Sequence, residues 1–355
     1  MAWDPLAKLR RTLHVTFGGS EAVPAWQYEL EEGEDGGYFA PHSAVWSVHG
    51  GMTPIAAGVR ALLVQALHPG ALAGVAEHSN YERDALGRLA GTIRWIFTVT
   101  YGSTDAARRA CEHVRKLHVP VRGHYEGVGG ASEYYSANSP HLSLWVHCAF
   151  ADAFLRAYEE HRGPAPVPPD ALPGESGADA YVREWAVAGE LMGVQDPPRS
   201  EAELTAALAG FDERGELRCD ERTLRVVGFI RRPPLDASLR SGYALLFRGA
   251  VDSLPARWSE LLGLRGSGFS LPGWFRASGP GFNAPGVGGT ADAAPGAVGA
   301  RGARQPGARR RVQTPWVGRL GAGLVLRLAG ATLVKVGPAE LSARARMKRV
   351  GAHGM

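Results

Sequence analysis

The residue of most chemical interest in the sequence is His147. On a helix its neighbours at −4, −3, +3, +4 and +7 are Ser143, Leu144, Phe150, Ala151 and Phe154, so one imidazole stands on an otherwise apolar stripe. A neutral nitrogen donor projecting into a dry pocket is what an axial ligand of haem iron requires. A core histidine bonded to a backbone carbonyl would leave the same pattern. His68 sits at a helix break, in LHPG, and His78 follows in EHSN; each reads as a ligand, a helix-terminus cap or a structural residue. Arg88 and Thr92 are one helical turn apart and project the same way. A guanidinium beside a hydroxyl on an inward face could hold a carboxylate, and an ion pair of Arg88 with Asp84 is the plainer alternative. The common catalytic signatures are missing: no G-x-G-x-x-G opens a helix after a strand, and there is no Walker A, H-E-x-x-H or G-x-S-x-G. Cys111, Cys148 and Cys219 form no C-x-x-C pair, which argues against a disulfide framework, a zinc ribbon, an iron–sulfur site and covalently attached haem.

Helices must position these groups, because strand signals are nearly absent. Thr53-Pro54 opens a helix that runs to the break at His68-Pro69, and a second continues through ALAGVAEH. From Asp84, apolar residues recur at three- and four-residue spacing through Leu86, Leu89, Ile93, Ile96 and Phe97. Ser103 or Thr104 caps the next helix, and Ser139-Pro140 starts the long one that carries His147. A Gly-rich turn, GVGGAS, separates these two. Beyond a Pro-rich link, DAYVREWAVAGELMG and pieces near 201–209, 219–231, 238–249 and 255–262 also read as helices. Short, punctuated helices around one core make an all-α domain.

The chain has 355 residues and a net charge of +4, which hides an asymmetry. Residues 265–355 hold 14 Lys and Arg against 2 Asp and Glu, while the rest holds 25 against 33. The body is acidic and the tail basic, so the two would respond differently to anionic partners. From 265 to about 311 the sequence is Gly, Ala, Pro and Arg with little periodicity and reads as disordered; a helix is possible at Leu320–Val336. The basic tail could touch an anionic surface, with a solvated tail as the simpler reading and no specific nucleic-acid partner indicated. The division expected is an N-terminal extension at 1–35, a catalytic domain at 36–264 and the tail at 265–355. Charged residues interrupt the apolar runs Ile55–Ala76 and Val317–Gly337, so neither reads as a membrane span. The N-terminus lacks the apolar run of a secretory signal, and the cytoplasm is the expected location.

The block QALHP-x8-HS-x4-D-x3-R-x3-T, with the later W-V-H-x4-D, resembles the MpaB/rubber-oxygenase family over roughly Gly36 to Leu262. That family includes latex-clearing proteins, which cleave polyisoprene with dioxygen, and a fungal oxygenase that shortens a terpenoid side chain. The resemblance implies a globin-like all-α fold around a non-covalent haem b. By position within W-V-H, the proximal iron ligand falls on His147, and the R-x-x-x-T pair falls on Arg88 and Thr92 beside the haem. His68 and His78 would line the pocket. In latex-clearing proteins a lysine precedes the threonine and can take the distal iron position; here that place holds Gly91. Their catalytic acid has no single counterpart, since Glu77 and His68 both fall near its place. The function expected is therefore a haem-b-dependent oxygenase that uses dioxygen on a small hydrophobic, isoprenoid-like substrate. A haem carrier or gas sensor, or a haem-free helical interaction protein, would share much of this pattern.

Overall fold

The computed structural model describes residues 25–51, 53–78, 85–235, 237–264 and 338–353, with the side chains of 85–90 outside that description. The described chain is mostly α-helical. In order come α1 (Ala25–Glu29), α2 (Ala44–Val48), α3 (Thr53–Gln65), α4 (Pro69–His78), α5 (Ala85–Tyr101) and α6 (Thr104–His118). A hairpin of β1 (Arg122–Glu126) and β2 (Ser132–Ser136) follows. Then come α7 (Pro140–Arg162), α8 (Gly177–Leu191), α9 (Glu201–Glu213), α10 (Glu221–Arg231), α11 (Ala237–Asp252), α12 (Ala256–Leu261) and α13 (Pro338–His353).

Local chemistry explains most of the boundaries. The Ser103, Ser139 and Ser176 hydroxyls accept the amides of Ala106, Leu142 and Asp179 and so cap α6, α7 and α8. Pro140 occupies the first turn of α7, where a missing amide costs nothing. At His68-Pro69 the backbone turns through 106° between α3 and α4. Among the described residues no single helix is long and apolar enough to cross a membrane.

The 23-residue α7 forms the centre of the molecule and packs along α3, with α8, α9 and α2 around it. Trp145 of α7 is fully buried against Phe211 and Trp258, at ring separations of 5.0 and 6.4 Å. One ionic group lies inside this apolar interior. Arg60 of α3 pairs with Asp152 of α7, and its Nε and Nη2 donate to Oγ and the carbonyl of Ser253, at 3.2 and 3.4 Å. Arg156, one turn along α7, approaches the other Asp152 oxygen at 3.4 Å.

The hairpin departs from the sequence expectation of a bare Gly-rich turn. Its strands pair antiparallel from Arg122↔Ser136 to Glu126↔Ser132, and Gly129 and Gly130 supply the positive φ angles of the turn. The far end of the chain departs as well. Residues 265–337, including the expected helix at Leu320–Val336, lie outside the described residues. Residues 338–353, assigned from sequence to the basic tail, form α13 and pack on α1 and α5. Ala339 and Ala343 join Leu30, Trp46 and Tyr101 in a second apolar cluster. Arg346 is 1% exposed and donates to the carbonyls of Leu30, Asp35 and Gly36, at 2.6, 3.1 and 3.4 Å. A basic residue here serves as an internal clamp on backbone oxygens. Removing residues 338–355 should therefore lower the melting temperature by roughly 5–10 °C, the effect of losing about 3 kcal/mol from a domain of this size. Circular dichroism melts would check this; an unchanged midpoint would show that α13 adds nothing.

Candidate functional site

His147 lies in the first half of α7, among the helix's buried residues. Desolvation lowers its pKa to about 4, so the ring is neutral at physiological pH. It keeps 9% of its surface accessible, and among the described residues neither ring nitrogen has a hydrogen-bond partner. The backbone of α8 passes close by. A Cβ on Gly189 would stand 2.9 Å from His147 Cε1 and 3.0 Å from Nδ1, so only glycine lets the two helices meet around this imidazole.

His49, which the sequence reading did not single out, provides the contrast. It is equally enclosed, and burial lowers its pKa to about 3. Its Nδ1 pairs with Thr100 Oγ1 at 2.8 Å and its Nε2 with the Tyr181 hydroxyl at 3.1 Å. Both nitrogens are committed, so His49 is a structural residue wedged against Phe154 and Trp185. Among the described residues His147, unlike His49, has no hydrogen-bond partner, and its ring is neutral.

The remaining sequence candidates separate into two groups. Arg88 lies on α5, but its side chain, like Asp84, is outside the described residues. Thr92 is half-buried on α5, and its face continues through Trp95 to Val99. Trp95 meets Trp185 of α8 with ring centroids 6.2 Å apart, and Trp185 is one turn from Gly189. Thr92 thus lies on the α5 face that carries Trp95, which packs on α8 one turn before Gly189. Gly91 is exposed, with open space where a Cβ would be, so this position brings no side chain toward any ligand.

His68 and His78 belong elsewhere, and no described contact joins either to His147. His68 caps the start of α4 by accepting the Gly70 amide on Nδ1, and its Nε2 faces Glu216 at 3.3 Å. His78 is exposed at the end of α4, with Nε2 3.2 Å from the Arg122 carbonyl of β1. Glu77 accepts from the Tyr135 hydroxyl at 2.7 Å and from Arg222 at 3.1 Å. Sequence reasoning also passed over Arg60, Asp152, Trp185 and Gly189. Asp152 carried a signal, as the acidic residue in W-V-H-x4-D; the others become visible only when the helices are assembled.

The described chain is an α-helical domain built around one long helix, in which His147 is buried with no hydrogen-bond partner among the described residues. Residues 46–280 match the family model described as the ER-bound oxygenase mpaB/B′ and rubber oxygenase catalytic domain, and the chain belongs to that family. No curated protein matches the chain, and no solved structure matches it. The family establishes an oxygenase-type domain. The cofactor and the substrate are matters for the protein's own residues.

Proposed function

We propose that this protein is a haem-b-dependent oxygenase that uses dioxygen on a small hydrophobic substrate, with His147 as the iron ligand. The observation that carries the proposal is the buried, neutral imidazole with no hydrogen-bond partner among the described residues, pressed against a glycine in an apolar helical interior. A histidine in such a place costs stability unless something pairs with it, and a metal bond would satisfy it. Haem b would supply the iron that activates dioxygen toward a C=C or C–H bond. The chain would supply the nitrogen ligand, a dry enclosure and the orientation of the substrate. Arg88 would hold a propionate carboxylate, with Thr92 as a hydroxyl donor one turn away. Trp95, Trp185 and Phe150 offer flat apolar surface near the same helices, suited to a planar or isoprenoid molecule.

Purified protein should show the visible spectrum of haem b, and acid–butanone extraction should remove the chromophore completely. Colourless protein after expression with added haem precursor would overturn the cofactor assignment, and residual pink colour after extraction would overturn its non-covalent character. Oxygen uptake on addition of a terpenoid alkene to the reduced protein then separates an oxygenase from a haem carrier or gas sensor.

A further inference from the structure

A second set of ligand-type side chains lies apart from His147. His68 occupies the corner between α3 and α4, His141 the first turn of α7, and Glu216 the segment after α9. Their ligand atoms all lie within 4.8 Å of one another. His68 Nε2 and His141 Nε2 approach the same oxygen, Glu216 Oε2, at 3.3 and 2.6 Å. The three groups open onto a cavity of about 240 Å³ beside the hairpin. Trp145, whose ring lies 5.9 Å from that of His68, is two residues from His147 and so about 200° round α7 from it. The cluster and the His147 ring are on different faces of the same helix.

We propose that His68, His141 and Glu216 form a binding site for a divalent first-row transition-metal ion of the zinc class, with its open coordination positions facing the cavity.

The donor chemistry suits such an ion, since two imidazoles and one carboxylate leave a fourth position for water or a small ligand. Arg214 takes the far oxygen, Oε1, which fixes the carboxylate and leaves Oε2 to the histidines. The other charged groups on the cavity are Glu133 and Arg218, so two carboxylates balance two guanidiniums and no net positive field repels a cation.

One feature opposes binding and can be weighed. Because His68 Nδ1 accepts the Gly70 amide, the metal-free ring carries its proton on Nε2, directed at Glu216. A metal at Nε2 displaces that proton, and if the proton moves to Nδ1 the cap of α4 is lost. Loss of one cap weakens binding by roughly tenfold, which is small beside the contribution of a ligand bond.

The test uses the full-length protein, treated with EDTA, dialysed and titrated with zinc chloride at pH 7.5 against a chromophoric competitor. One zinc ion per chain should bind with micromolar or tighter affinity and raise the melting temperature. Glu216→Gln and His141→Gln should each weaken binding by about 30-fold or more and abolish the thermal shift. His147→Ala should keep the zinc stoichiometry, which separates this site from the haem ligand. Cobalt chloride in place of zinc should give a d–d absorption band that His141→Gln removes. The His141 side chain is half exposed, so His141→Gln should fold normally and decides the matter if Glu216→Gln does not fold. Absence of stoichiometric binding, or binding unchanged in the His141→Gln protein, would overturn the proposal.

Discussion

Replacing His147 by alanine should strip the protein of haem, with retention after gel filtration falling on the order of tenfold or more. The expected size follows from what is removed. A metal–nitrogen bond is the strongest single contact the described site can offer, and the loss of each ~1.4 kcal/mol weakens binding tenfold. Alanine also leaves a gap between α7 and α8 where the imidazole met Gly189. Free imidazole is the right size for that gap, so adding it during reconstitution should partly restore the spectrum. His68→Ala and His78→Ala should keep the haem, because the first sits at the α3–α4 corner with Glu216 and the second against the Arg122 carbonyl. An unchanged spectrum for His147→Ala, together with haem loss in either of the other two variants, would move the iron to the hairpin side of the molecule. Haem would then compete with the proposed zinc site, and the two experiments would report on one pocket.

Asp152→Ala should cost about 3–5 kcal/mol, enough to remove a large share of an ordinary domain's stability. The reason is what remains behind. Arg60 is 2% exposed, and with Asp152 gone its charge would be enclosed with only the two hydrogen bonds to Ser253. Urea denaturation gives the comparison directly. The double variant Arg60→Met with Asp152→Leu should recover much of the loss, because replacing both partners by apolar groups removes the stranded charge. If the single Asp152→Ala variant unfolds at the same urea concentration as the parent, water must reach Arg60 and the pair is not truly interior. The acidic residue of the W-V-H-x4-D motif thus has a structural duty that sequence alone did not reveal.

The parts of the fold that the sequence made legible are those governed by local chemistry. The cap expected at Ser103 or Thr104 is Ser103, Ser139 opens the long helix as expected, and His68-Pro69 does break one helix into two. The hairpin escaped because its strands alternate between exposed and half-buried positions, and most of its residues are polar or glycine, so no apolar alternation marks it. Helix α13 escaped for a related reason: its buried residues are Ala339, Glu340, Ser342, Ala343 and Arg346, small or charged side chains that resemble a solvated basic tail. At the site, the sequence could place His147 on an apolar stripe but could not tell a ligand from a bonded core residue. Nor could it show that the ring packs against Gly189, 42 positions away by the sequence numbering. His141 and Glu216 are likewise unremarkable in isolation, and only the corner at His68 brings them together.

The grip of Arg346 on Leu30 has a consequence for the order of events during synthesis. The two residues are separated by 316 positions, so the clamp is among the most non-local contacts in the chain. At ~5–20 residues per second, roughly 15 to 60 s pass between the appearance of Leu30 and that of its partner. Throughout that interval Leu30, Trp46 and Tyr101 lack the cover that α13 gives them. The nascent protein therefore carries a sticky patch near its beginning until almost its last helix has left the ribosome, and it is then that a holding chaperone would find the most to bind.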